Sequence, residues 1–132
     1  MSLEVAKFGV VGLINSALGV AAIFICMALG ASDIQANFIG YSFGLMLSFV
    51  LNGKWTFNRT HLTQRSLTWF MVVTAVAYGA NVATLLLVRD TFGWGSTLSQ
   101  LAGIAPYTLI GFFGMKFIAF KNRPLKVHDT ND

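Results

Sequence analysis

A cationic, aromatic segment stands where one apolar run of the sequence ends. Residues 49–59 read Phe-Val-Leu-Asn-Gly-Lys-Trp-Thr-Phe-Asn-Arg. Lys54 supplies a point charge suited to phosphate, Arg59 a planar bidentate fork, and Asn52 an amide that would orient the bound group. Lys116 ends the last apolar run in the same way. These four residues predict a phosphate-binding site for an anionic lipid headgroup, with plain topology anchoring by snorkelling cations as the alternative.

The composition excludes an ordinary water-soluble domain. Of the 132 residues, 55% are hydrophobic and only 11% are charged, whereas about a quarter of a soluble domain is charged. The formal net charge of +4 comes from nine Lys and Arg residues that flank the apolar runs. They form no single basic face, so no nucleic-acid partner is expected.

Four uncharged or nearly uncharged runs are each long enough to cross a bilayer, which takes about 20 apolar residues. Backbone polar groups find no water in the hydrocarbon core, so each run is predicted to be a helix. The sequence therefore predicts one all-α, polytopic membrane domain over residues 1–132, with spans at 8–29, 34–52, 67–88 and 97–118.

The distribution of cations predicts the orientation of these spans. Eight of the nine Lys and Arg residues precede the first span, lie between the second and third, or end the fourth. Only Arg89 lies in the other set of loops. By the positive-inside rule both termini are cytoplasmic.

The two halves of the sequence resemble each other. Phe8 aligns with Phe70, 62 positions later, and Phe57 with Phe120, 63 positions later. Chance matching between apolar sequences is the alternative explanation. A true repeat would make the bundle from two two-helix units of the same orientation, related by an axis along the membrane normal.

Polar, uncharged residues interrupt the apolar spans. Asn15 lies in the first span, and Tyr78 and Asn81 lie in the third. We predict that they line a path for a hydrated headgroup, with ordinary interhelical hydrogen bonding as the alternative. No Asp, Glu, Lys, Arg or His stands inside a run before Lys116. The sequence thus predicts no catalytic residue, metal site or cofactor, and it argues against a carboxylate-driven exporter.

Small residues recur at helical spacing and predict close helix contacts. Gly40, Gly44 and Ser48 form such a ridge on the second span. Small side chains let two helix backbones approach in a membrane. The ridge is a seam within the subunit or between subunits, and we take it as the candidate dimer face of a homo-oligomer.

The motifs at 7–12, 48–57 and 116–120 resemble those of the GtrA-like family of small four-span membrane proteins. The resemblance extends over roughly residues 5–123. One departure is Gly53, where members of the family often carry a second basic residue beside the lysine.

This resemblance implies translocation of a polyprenyl-phosphate-linked sugar, such as undecaprenyl-phosphate glucose, across the bacterial inner membrane. The sugar would then decorate a cell-surface polysaccharide, and a membrane glycosyltransferase would load the lipid on the cytoplasmic side. The alternative is a scaffold, neither enzyme nor transporter, that binds the lipid-linked-sugar glycosyltransferase.

Overall fold

The computed structural model describes residues 1–121 and folds into four long helices. They are α1 (Ser2–Ala28), α2 (Asp33–Leu51), α3 (Gln64–Phe92) and α4 (Ser96–Gly114). All four are long and apolar enough to cross a membrane. The predicted all-α, four-span architecture is confirmed, and the chain is a multi-pass membrane protein. Two of the predicted cytoplasmic cations, Arg123 and Lys126, lie outside the described residues.

Two helices continue beyond their α-helical part as a π-helical turn. The first π-turn, Asn52–Thr56, follows α2, and the second π-turn, Met115–Ala119, follows α4. Each closes with an i→i+5 hydrogen bond, from Phe57 N–H to the Asn52 carbonyl and from Phe120 N–H to the Met115 carbonyl. Such turns are rare, and their occurrence at equivalent places in both halves makes them a property of the repeat.

Local sequence sets where the helices begin and end. Ser32 with Gln35 forms a capping box at the start of α2, and Thr63 with Ser66 forms one at the start of α3. These side chains satisfy backbone N–H groups that have no partner inside the helix. Gly93, with φ of +64°, ends α3 in the left-handed conformation that glycine adopts without strain.

The internal repeat is confirmed by the helix boundaries. α3 begins 62 positions after α1, α4 begins 63 positions after α2, and the two π-turns are also 63 positions apart. Buried residues recur at the same spacing, as in the pairs Val11/Val73, Ala36/Ser99, Phe49/Phe112, Thr56/Ala119 and Phe57/Phe120. Each half is therefore a hairpin, the first built from α1 and α2 and the second from α3 and α4.

A cluster of phenylalanine rings joins the two hairpins at one end of the bundle. We call it the ring cluster, and its members are Phe8, Phe49, Phe57, Phe70, Phe112 and Phe120. The equivalent rings of Phe57 and Phe120 stack on each other, with centroids 5.7 Å apart. A pseudo-two-fold axis relating the hairpins passes between them.

The other contacts of the cluster obey the same symmetry. Phe49 lies 5.7 Å from Phe120, and the equivalent pair, Phe112 and Phe57, lies 5.8 Å apart. Aromatic pairs at such distances contribute about 0.5–1.5 kcal/mol each beyond the area they bury. The hydrophobic core of the protein is thus concentrated at the end of the bundle where both π-turns lie.

The π-turns explain how one helix supplies two rings to the cluster. Phe49 and Phe57 are eight residues apart, which would place them about 80° apart around a regular α-helix. A π-turn absorbs one extra residue, so position i+8 returns to within about 20° of position i. Both side chains are buried in the cluster.

Close backbone approaches lie within each hairpin. A Cβ on Gly40 would stand 3.0 Å from the Gly19 carbonyl oxygen and 2.4 Å from Ile23, both on α1. The ridge on α2 is therefore a seam inside the subunit. The expectation that this ridge forms a dimer face is wrong at Gly40, because α1 of the same chain already covers it.

The crossing of α3 with α4 tests this packing. A Cβ on Gly103 would stand 2.8 Å from the backbone oxygen of Asn81, whereas a Cβ on Gly79 would meet nothing within 4 Å. We expect Gly103→Ala to lower the free energy of unfolding by about 1–3 kcal/mol through overpacking. Gly79→Ala, the matched control on α3, should not lower it.

The measurement is reversible unfolding of both variants in mixed micelles. Equal stability of Gly103→Ala and the wild type would contradict the close crossing at Gly103.

Candidate functional site

A cavity of about 660 Å³ lies between the two hairpins. All four helices line it, and most of its wall comes from the first hairpin. On α1 the lining residues run from Phe8 to Ile23, a distance of about 22 Å at 1.5 Å per residue. The cavity thus follows much of a hydrocarbon core about 30 Å thick, and its volume is within the range of small-molecule sites.

Two residues on the wall of this interhelical cavity each have a buried polar atom without a hydrogen-bond partner among the described residues. The two atoms are Asn15 Oδ1 on α1 and Thr74 Oγ1 on α3. Ser48, Tyr107 and Thr108 add further hydroxyls to the wall. An unsatisfied buried polar group costs about 1–3 kcal/mol. Most of the wall is apolar, and its hydroxyls are the groups available to hold a polar part of a ligand.

The three residues predicted for a headgroup path lie in different surroundings. Asn15 lines the interhelical cavity. Tyr78 is 65% exposed and points away from the cavity, toward the membrane. Asn81 packs at the crossing of α3 and α4 against Gly103. Of the three, only Asn15 faces the interhelical cavity.

Sequence reasoning missed Thr74, the second unpartnered group. The repeat relates it to another lining position, but which positions line the cavity is visible only in the structure. Thr74 stands 62 positions after Gly12, which also lines the interhelical cavity.

The four residues predicted to bind phosphate are not brought together. Asn52 is buried at the end of the interhelical cavity where the first π-turn lies. Its amide Nδ2 donates to the Ser48 hydroxyl, 3.1 Å away, and its Oδ1 accepts from the Thr56 hydroxyl, 3.0 Å away. Asn52 therefore stabilises the junction between α2 and the first π-turn, and its side-chain oxygen and nitrogen both have partners.

Lys54 and Lys116 face different ways because they are not equivalent in the repeat. Lys54 is equivalent to Phe117, and both are exposed. Lys116 is equivalent to the buried Gly53. A shift of one residue turns a side chain by roughly 80–100° around a helix. No contact among residues 1–121 joins Lys54 to Lys116, and their action as one phosphate clamp stays a prediction.

Lys116 is paired across the hairpins. Its ammonium group donates to the carboxylate of Glu4 near the start of α1. It also lies 5.9 Å and 5.8 Å from the ring centroids of Phe112 and Phe117. The pair places the start of α1 beside the end of α4, so the described ends of the chain share one side of the membrane. It neutralises the cation that was predicted to meet a phosphate.

Close packing explains why position 53 is a glycine. A Cβ there would stand 2.5 Å from Leu62 and 2.9 Å from the Phe120 ring. A basic side chain at position 53 would displace the ring cluster. The departure from the family pattern is therefore a packing requirement in this chain.

Arg59 lies outside the interhelical cavity, in a second and smaller pocket of about 320 Å³. Its guanidinium Nη1 donates to the Lys121 carbonyl, 2.8 Å away. Arg65, Lys121 and Trp69 line the same pocket. We call this second site the basic pocket.

The Glu4–Lys116 pair predicts a measurable coupling between the hairpins. Its side chains are 30% and 23% exposed, whereas those of Asp90 and Arg89, on the opposite face, are 61% and 50% exposed. We expect a double-mutant cycle with Glu4→Gln and Lys116→Gln to give a favourable, measurable coupling.

The same cycle with Asp90→Asn and Arg89→Gln is the control and should give a smaller coupling, because water screens that pair more strongly. Unfolding in mixed micelles measures both. A Glu4–Lys116 coupling no larger than the control would show that the pair does not hold the hairpins together.

Comparison with known protein families identifies the fold. The family model described as GtrA/DPMS, transmembrane domain, matches residues 7–120. No curated protein and no solved structure matches the chain. The matched range includes every described helix almost completely, both π-turns and the ring cluster. The chain belongs to the GtrA/DPMS transmembrane domain family, a family of membrane proteins connected with polyprenyl-phosphate sugars.

Proposed function

We propose that the protein moves a polyprenyl-phosphate-linked sugar across the bacterial inner membrane. The lipid would be undecaprenyl-phosphate glucose or a close relative, and the sugar would serve glycosylation of cell-surface polysaccharide. The interhelical cavity carries this proposal, because it combines a length of about 22 Å with the hydroxyl-bearing residues Ser48, Tyr107 and Thr108 on its wall. Family membership supports the class of lipid.

The physical demand of such transport matches the cavity. The phosphate and the sugar carry nearly all the cost of crossing hydrocarbon, since they lose their hydration. The polyprenyl tail is apolar and stays in lipid. Leu13, on the cavity wall, is 75% exposed, so the cavity opens sideways to the membrane. The headgroup would travel inside while the tail remains outside.

Transport in this proposal runs down the concentration gradient of the lipid. No Asp, Glu, Lys, Arg or His of residues 1–121 lines the interhelical cavity. Proton-coupled transporters place such a group within the bundle. A membrane glycosyltransferase on the cytoplasmic side would supply the loaded lipid, and consumption of the sugar outside would maintain the gradient.

We also propose that the protein works as a homo-oligomer.

Reconstitution tests the proposal directly. Liposomes loaded with a short-chain polyprenyl-phosphate-glucose analogue would be exposed to a membrane-impermeant reagent that modifies the sugar. We expect the purified protein to make internal analogue accessible much faster than protein-free liposomes do. No acceleration, with the protein folded and the analogue bound, would overturn translocation and favour the scaffold that binds a glycosyltransferase.

A cavity-filling substitution tests the route. A Cβ at Gly44 would have only the Asn15 carbonyl oxygen near it, at 4.0 Å, so the side chain of Gly44→Leu would extend into the interhelical cavity. We expect this variant to slow exposure about tenfold or more, equivalent to about 1.4 kcal/mol in the barrier. Gly79→Leu, which adds the same side chain on the lipid side of α3, is the matched control. Equal rates in both variants would exclude the cavity as the route.

A further inference from the structure

The basic pocket lies at the cytoplasmic end, beside the second π-turn. It is formed by the residue stretch before α3, the first turns of α3 and the end of the second π-turn. It is separate from the interhelical cavity, with which it shares no lining residue.

Three cations line this pocket. Arg65 and Lys121 are exposed, and Arg59 is partly buried with its Nη1 on the Lys121 carbonyl. No carboxylate of residues 1–121 is among the lining residues. The contact made by Arg59 fixes the backbone of Lys121 against the segment before α3. Clustered cations without acidic neighbours favour a phosphate group as ligand.

The remaining wall is apolar and faces the membrane. Trp69, Phe117 and Ile118 line the pocket and are 40%, 55% and 51% exposed. Tryptophan side chains are enriched at membrane–water interfaces, and Trp69 fits such a position. Cations on one side and exposed apolar side chains on the other fit a lipid, whose phosphate and chain need both surfaces. A freely soluble phosphate compound would need only the cations.

The repeat shows that the fold alone does not create this pocket. The positions equivalent to Ser66, Trp69 and Ile118 in the first hairpin are Glu4, Lys7 and Trp55. There the Lys7 ammonium donates to the Trp55 carbonyl and lies 5.5 Å from its ring centroid.

The carboxylate of Glu4 forms an ion pair with the ammonium group of Lys116. One of the two equivalent places is therefore filled by its own side chains and contains an acid, while the other is open and basic.

We propose that the basic pocket binds the phosphate of an anionic lipid of the cytoplasmic leaflet. Arg65 and Lys121 contact the phosphate oxygens, and Arg59 acts as a positioning residue through Lys121. Trp69 and Phe117 contact the first part of the lipid chain. That this lipid is the transported sugar lipid rests on the proposed function, whereas its phosphate chemistry rests on the pocket.

Binding measurements test this assignment. The detergent-solubilised full chain would be titrated by calorimetry with the polyprenyl-phosphate-glucose analogue, with phosphatidic acid and with inorganic phosphate. We expect Arg65→Gln with Lys121→Gln to weaken binding of both lipids about tenfold or more. Inorganic phosphate should bind the wild type far more weakly than either lipid, because it gains nothing from the apolar wall.

Two control variants separate an effect of the pocket from a general effect of charge. Arg89→Gln removes one positive charge from the opposite face and should leave lipid binding unchanged. Arg65→Lys with Lys121→Arg keeps both charges and should restore most of the affinity. Unchanged lipid binding in the double glutamine variant would overturn the proposal. Tight binding of inorganic phosphate that displaces the lipids would overturn the lipid as ligand.

The outcome is separable from that of the proposed function. Phosphate-lipid binding that needs Arg65 and Lys121, without translocation in liposomes, would remove the flippase and leave this pocket. Translocation at the wild-type rate in the double glutamine variant, with lipid binding also unchanged, would remove the basic pocket as a lipid site and leave the flippase.

Discussion

The ring cluster is the contact on which the rest of the structure depends. Lipid tails are as apolar as helix side chains, so burial gives helices in a bilayer little reason to associate. Within each hairpin, glycine seams such as Gly40 against Gly19 bring backbones together. Between the hairpins, the stacked rings of Phe57 and Phe120 and their neighbours do this at one end only. Because the hairpins are joined at the end where the π-turns lie, an open cavity between them is compatible with a stable fold.

The hydrophobic pattern predicts the four spans well because burial in a bilayer depends on length and apolarity alone. The repeat was also readable, since Phe8, Phe57 and their partners are visible at a constant spacing. The direction in which individual polar side chains face was not readable from the sequence. A polar residue in an apolar run reveals its depth but not its direction around the helix, and Tyr78 and Asn15 differ in direction. The one-residue offset of Lys54 against Lys116 was visible, but its consequence needed the π-turns, which no pattern in the sequence indicated.

The asymmetry of the cavity follows from substitutions between the halves. Gly12, Gly19 and Gly44 in the first hairpin are equivalent to Thr74, Asn81 and Tyr107 in the second. Small residues leave space on the first hairpin, and their larger equivalents fill it on the second. Parallel repeats share one orientation, so exchanging the roles of the two hairpins does not turn an inward-facing state into an outward-facing one. The duplication is thus free to diverge, and the first hairpin supplies most of the cavity wall.

The second hairpin contributes to the walls of both the interhelical cavity and the basic pocket. Its second π-turn has Met115 on the interhelical cavity and Phe117, Ile118 and Ala119 on the basic pocket. A single five-residue turn therefore separates a cationic surface at the membrane boundary from a hydroxyl-lined space inside the bundle. Lys116 lies between these two faces and is held by Glu4 of the first hairpin. Because the Glu4–Lys116 pair bridges the hairpins, it joins the first hairpin to the turn that separates these two surfaces.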